Sequence, residues 1–470
     1  MKTKTFFSGL SWLLLLNLLI KPAWNFLIDR QVQNAVGHEA YGVYFALFNL
    51  TYVLLFLADA GLTNFLTQSI AAGNSVNVRQ LLRTKFFLLL LYAVACCFVA
   101  WITGIQQRTI LFYLVLIQSL TSLFLFLRGL LTANQLYKTD ALFSVLDKTL
   151  MLFLCLGPVY GFFARISIHL FLQLQLIATA VSVSFLLFLL VKKRLLASSA
   201  ERQSVLRLLK SSAPFFLIVL LMATHYRLDG FLLERLHKDG ARQAGIYAAA
   251  YRLLDAGNTV GYLCASFLVP FVARHRQETK RVENVVLLLR HVLLFIAIVA
   301  ATFSFGFAPW LQAALYHTND AFNSRVIALC VAVLPAYYLV HVYGSVLTAA
   351  AAFRPFIFSL LLAVAINIAL NIILIPSLGA LGCCIAALAS QYSCALLLFL
   401  SASQKLSLRY GAKWFGLYTS CVVAFWLLFF LLKNYGNAVW IILVGACLLA
   451  IAFAFLQKAR LQQLIATLNS

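Results

Sequence analysis

The chain is a succession of apolar runs, each about 20 residues long, separated by short polar stretches. A run of that length crosses the hydrocarbon of a bilayer as a helix. In lipid, only a helix or a closed barrel satisfies its own backbone polar groups, and runs of this length and continuity select the helix. Fourteen runs meet the criterion, near 8–29, 41–64, 84–105, 109–131, 146–164, 166–191, 213–236, 244–271, 286–308, 324–350, 356–376, 379–400, 414–433 and 437–457. The expected fold is an all-α integral membrane protein. With 63% hydrophobic and 10% charged residues, no segment is polar enough for a soluble domain.

The few charges set the orientation. Of 36 Lys and Arg residues, 25 fall in loops or span ends on the even side, Lys85, Lys148 and Arg290 among them. Seven fall on the odd side, and Lys21, Arg30, Arg227 and Arg252 lie within spans or at their ends. By the positive-inside rule both termini are cytoplasmic. The excess of basic residues does not make a nucleic-acid binder, because they are scattered through short loops. A preference for anionic lipids or an anionic substrate fits them better. The ten cysteines all sit in apolar runs, where they act as small packing residues. The eight histidines lack metal-ligand spacing, and no phosphate-binding glycine loop or Ser-His-Asp set is present, so neither a cofactor nor enzyme chemistry is expected.

A basic stretch at 192–212 divides the runs into two sets of six, 1–191 and 213–400, with two further runs and a cytoplasmic tail in 401–470. The two sets echo each other. Gly42-Val43-Tyr44 follows Asp29, and Gly245-Ile246-Tyr247 follows Asp229 at similar spacing. Such repeats are common in membrane transporters.

Polar residues inside the apolar runs are the candidate functional groups, because a charge at the membrane centre costs about 2.5–3.5 kcal/mol on insertion scales. In the first run, Asn17, Lys21, Asn25 and Asp29 step by four, beside the helix-distorting Pro22. The second run holds Asp59 on the face of Tyr44, Thr51 and Tyr52. The seventh carries His225, Tyr226, Arg227 and Asp229, with His225 and Asp229 four apart. The eighth aligns Arg252, Asp255 and Thr259, and the tenth carries His341. Lys21, Arg227 and Arg252 are the expected anion-binding cations, and the rest are expected polar cavity groups. The alternative is that these residues lock neighbouring helices by charge pairs and hydrogen bonds.

The stretch 365–391, AINIALNIILIPSLGALGCCIAALASQ, resembles the signature of polysaccharide exporters in the multidrug/oligosaccharidyl-lipid/polysaccharide superfamily. Asn367 and Asn371 precede Ile375-Pro376, Gly379 and Gly382 are expected to form a turn, and Ala386 and Ala387 follow. Asp59-Ala60-Gly61-Leu62, Tyr226-Arg227-Leu228-Asp229 and Gly245-Ile246-Tyr247 are similar to further elements of that family. The resemblance implies two pseudo-symmetric six-helix lobes around a central cavity, opening alternately to each side. It also implies a polyprenyl-pyrophosphate-linked oligosaccharide as cargo, crossing the bacterial cytoplasmic membrane.

In such a monomeric flippase, Lys21, Arg227 and Arg252 would hold the pyrophosphate, while the polyprenyl tail stays among the membrane lipids. A polysaccharide polymerase and glycosyltransferases are the partners it implies. Within the same fold, a lipid II flippase would share the cationic cavity, whereas a drug/cation antiporter would want an acidic one. A membrane polysaccharide polymerase or ligase would want a larger outer loop than this chain has. Without an ATP site, transport would draw on a gradient or on consumption of the cargo on the far side. Asp229 is the candidate ion carrier, or else a gate partner of Arg252.

Overall fold

A computed structural model describes residues 3–71, 76–162, 165–196, 205–275, 277–317 and 320–406, together with 418–420, 422–423 and 426–427. Among the described residues, eleven helical stretches are long and apolar enough to cross a membrane. The first, Trp12–Asp59, has 48 residues, far more than one crossing needs, and covers both the first and second expected runs. Gly37 divides it, with φ 83° and ψ 167°, a backbone state open to glycine and costly for other residues. The other ten stretches match runs three to twelve. The last two expected runs lie outside the described residues, apart from the short pieces above.

The chain falls into two compact units, Met1–Ala248 with Ile375–Gly379, and Ala249–Leu374 with Ala380–Ser470. The first contains α1 (Thr3–Ala23), a π-helical turn (Trp24–Asp29), α2 (Arg30–Leu54), α3 (Phe56–Asp59), α4 (Leu62–Ala71), α5 (Val78–Ile102) and α6 (Arg108–Ala133). It continues with α7 (Tyr137–Val159), α8 (Ile168–Lys192), α9 (Val205–Leu236) and the start of α10 (Gly240–Arg274). Here α1 packs on α7, α2 on α9, and α6 on α8. Leu66, Leu81, Phe126, Leu130 and Leu186 fill the core where α4, α5, α6 and α8 meet. Asn77 and Ser167 cap α5 and α8, accepting from the backbone N–H of Gln80 at 3.0 Å and of Leu170 at 3.2 Å.

Several sequence expectations shift in this unit. Pro22 lies inside α1, and the distortion follows it as the π-helical turn. That wider turn interrupts the four-residue step, so Asn17, Lys21, Asn25 and Asp29 do not form one unbroken stripe. The fifth run begins earlier than expected, at Tyr137, so Lys148 lies in the middle of a spanning helix and not at its end. Lys85 likewise lies within α5, because basic Val78–Lys85 is continuous with the apolar remainder. The end of the 192–212 stretch is continuous with the seventh run, since α9 starts at Val205.

One close contact joins residues that the repeat had paired in sequence. A Cβ on Gly42 would lie 1.8 Å from the Ala241 carbonyl oxygen, and one on Gly245 would lie 1.9 Å from that of His38. Backbone therefore meets backbone, as small residues permit between membrane helices. The Gln33 side-chain amide donates to the Gly245 carbonyl at 2.7 Å and braces the same contact.

The second unit contains the remainder of α10, then α11 (Thr279–Tyr316), α12 (Ala321–Val331), α13 (Leu334–Ala349), most of α14 (Phe353–Leu378) and α15 (Ala380–Leu406). Helix α13 packs on α15, and α11 packs on both α12 and α13. Asp320 caps α12 through the Phe322 N–H at 2.9 Å, and Pro335 sits in the first turn of α13. Arg290, expected at the cytoplasmic margin, lies within α11 and donates to the Tyr343 hydroxyl at 3.3 Å. Pro376 lies inside α14 and Gly382 inside α15. The turn between these helices falls on Gly379 alone, with φ 55°.

Candidate functional site

Helix α9 presents polar groups in two directions. Arg227 is half-buried, and its guanidinium carbon lies 5.8 Å from the Phe48 ring centroid and 5.2 Å from that of Tyr52, both on α2. These are cation–π distances. Asp229 is buried and accepts a hydrogen bond from the Tyr247 hydroxyl on α10 at 3.2 Å. His225, one turn earlier on the same face as Asp229, is also buried, and its ring stacks against Tyr226 at 5.9 Å.

The early part of the first unit holds the first-run candidates. Asn17 is buried and donates to the Ser144 hydroxyl of α7 at 2.8 Å, which is an interhelical packing contact. Lys21 and Asn25 are half-buried. Asp29, at the end of the π-helical turn, accepts from the Tyr41 hydroxyl at 2.9 Å. Lys148 of α7 lies 5.3 Å from the Trp24 ring centroid. It is a further cation within a candidate spanning helix, which its place at the end of the expected run hid.

Asp59 ends the short helix α3. It accepts from Lys85 at 2.6 Å and from the Thr63 hydroxyl at 2.5 Å, and its other oxygen caps the Thr63 N–H of α4 at 3.3 Å. Lys85 is fully buried, donates also to Ser122 of α6 at 2.8 Å, and lies 5.7 Å from the Phe126 ring centroid. Nearby in sequence, Arg128 forms a two-point pair with Asp140, at 2.8 and 3.1 Å, tying α6 to α7. Sequence reasoning missed both pairs. Their only signal was an acid and a base at the margins of apolar runs.

In the second unit, buried Arg252 donates to the Tyr316 hydroxyl at 3.0 Å, and Tyr316 in turn donates to the Ala249 carbonyl at 2.8 Å. Asp255 is half-buried, three residues further along α10. His341 pairs with the Asn258 side chain at 2.8 Å, linking α13 to α10. Asn371 donates to Asn367 at 3.1 Å, and Asn367 to Ser390 at 3.4 Å, so this asparagine pair serves helix packing between α14 and α15. Among the described residues, no group of three or more His, Cys, Asp or Glu side chains is placed to hold a metal ion.

The fold is shared with the lipid II flippase MurJ in an inward closed conformation, with a TM-score of 0.71 at 13% identity over 97% of this chain and 99% of that one. It is shared with an outward-facing multidrug resistance MATE transporter, with a TM-score of 0.64 at 15% identity over 86% and 96%. It is shared too with a transporter of the same superfamily from Pyrococcus furiosus, with a TM-score of 0.65 at 16% identity over 86% and 96%. A search of curated proteins finds no match. The model of the polysaccharide biosynthesis protein family matches residues 6–275, and the chain belongs to that family.

Proposed function

We propose that this protein carries a polyprenyl-pyrophosphate-linked oligosaccharide, the repeat unit of an O-antigen, capsule or exopolysaccharide, from the inner to the outer leaflet of the bacterial cytoplasmic membrane. Lys21, Arg227 and Arg252 hold the pyrophosphate, and the polyprenyl tail stays in lipid. The observation that carries this reading is Arg227: a half-buried guanidinium in a spanning helix, set on aromatic rings, in a chain of the polysaccharide biosynthesis family. A guanidinium suits the paired oxygens of a phosphate, and its cost in the membrane argues for a role beyond packing.

The lobes of this reading are 1–191 and 213–400, alternating in access, with two further spans in 401–470 and both termini cytoplasmic. Single cysteines at positions 200 and 318, in a cysteine-free background, label only from the cytoplasm and only from outside, respectively. Asp229 serves either as an ion carrier or as a gate. In vesicles, Asp229→Asn abolishes the response to an imposed pH or sodium gradient in the first case and preserves it in the second.

Lipid II transport is the second reading, favoured by the fold match to MurJ along nearly the whole chain. The two are separated in proteoliposomes by supplying each lipid in turn and following the arrival of its headgroup on the far side. Movement of the oligosaccharide lipid in preference to lipid II supports the first reading. Movement of lipid II alone overturns it.

A further inference from the structure

Phe48 and Tyr52 lie four residues apart on α2, with ring centroids 6.0 Å apart, and together make a ledge on which the Arg227 guanidinium rests. What brings α2 close enough is Gly230, three residues beyond Arg227 on the same face of α9. A Cβ there would lie 2.2 Å from the Asn49 amide nitrogen and 2.7 Å from the Phe45 ring. The two helices therefore meet at Gly230, and that approach carries the ledge under Arg227.

A ring attracts a guanidinium through its face, whereas the guanidinium donates hydrogen bonds in its own plane. Contact with the ring faces favours one plane for the fork, with its N–H groups edge-on, as two-point contact with phosphate oxygens requires. We propose that Phe48 and Tyr52 are positioning residues that orient Arg227 toward a phosphate or pyrophosphate group. This rests on the reading of Arg227 as an anion-binding residue given above. Ordering the side chain in advance removes part of the entropic cost of binding. Lysine at this position would keep the charge and lose the orientation.

The test uses the full chain in nanodiscs and measures the Kd for undecaprenyl pyrophosphate and, separately, for inorganic pyrophosphate. Phe48→Ile combined with Tyr52→Ile weakens binding of the lipid up to about tenfold, the cost of ordering one long side chain at the moment of binding. Tyr52→Phe and Phe48→Tyr, which keep the rings, bind like the wild type. In an Arg227→Ala background, removing the rings has no further effect, because the rings act through the arginine. Ring dependence toward both ligands assigns recognition to the anion itself, and toward the lipid alone to a lipid headgroup; either supports the proposal. Equal weakening with and without Arg227 reduces the rings to packing and overturns it, as does wild-type affinity in the double isoleucine variant. If the wild type binds neither ligand, the anion-site reading fails first and the proposal falls with it.

Discussion

Lys85 is fully buried, with its ammonium shared between Asp59 and Ser122 and set over Phe126. Arg227 is half-buried and rests on the faces of two aromatic rings. Each is a cation inside a spanning helix, and the difference lies in what holds it. Lys85 has a carboxylate at 2.6 Å that also caps the next helix through Thr63, so the pair is tied into the turn at Ala60 and Gly61, both with positive φ. Such a pair is costly to break and offers little to a substrate. Contact with ring faces, by contrast, favours a guanidinium plane suited to two-point recognition of an anion, the role proposed for Arg227. A cation in the membrane is therefore not in itself a sign of function. Its surroundings bear on whether it is a lock, as Lys85 is, or a binding group, as proposed for Arg227.

Lys85→Ala strands Asp59 and should cost about 3–5 kcal/mol, the usual penalty for removing one partner of a buried pair, toward the lower end because the Asp59 side chain is 25% exposed. The expected result is a large fall in thermal stability in detergent. Combining Asp59→Leu with Lys85→Met should recover most of that loss, since an apolar replacement of a buried pair is often neutral. Wild-type melting of Lys85→Ala would remove the distinction between the two cations.

Arg252 lies between the extremes, being buried but bonded to a neutral hydroxyl. Tyr316→Phe takes away a partner from both Arg252 and the Ala249 carbonyl and should cost about 1–3 kcal/mol, read as a smaller shift in the same melt. Smallest of all is Asn17→Ala. If Asn17 serves only the α1–α7 contact through Ser144, the loss is about 0.6 kcal/mol, typical of one interhelical hydrogen bond in a membrane, and export is unchanged. A loss of export with normal stability would return Asn17 to the expected polar cavity groups.

The spans were legible because hydropathy and length are local properties, and runs three to twelve reappear as helices. What escaped was nonlocal. Lys85 follows Arg79 and Arg83 and reads as one more loop charge, and only its pairing with Asp59, 26 residues earlier, buries it. Arg252 was visible as an intramembrane cation, but its partner Tyr316 lies 64 residues away. The stripe from Asn17 to Asp29 assumed an uninterrupted 3.6-residue period, which the π-helical turn after Pro22 does not keep. The repeated glycines were visible as a pattern, yet nothing in the pattern said that Gly42 and Gly245 would be driven together.

The most direct test of the central claim is the rate at which Arg227→Ala moves an undecaprenyl-pyrophosphate-linked oligosaccharide across proteoliposomes, against wild type and Arg227→Lys at equal protein content. Losing a charge-assisted contact worth about 1.5–3 kcal/mol should slow transport roughly ten- to a hundredfold. Arg227→Lys should fall between the two, and the melting temperature should stay near wild type. Transport by Arg227→Ala at the wild-type rate would contradict the account.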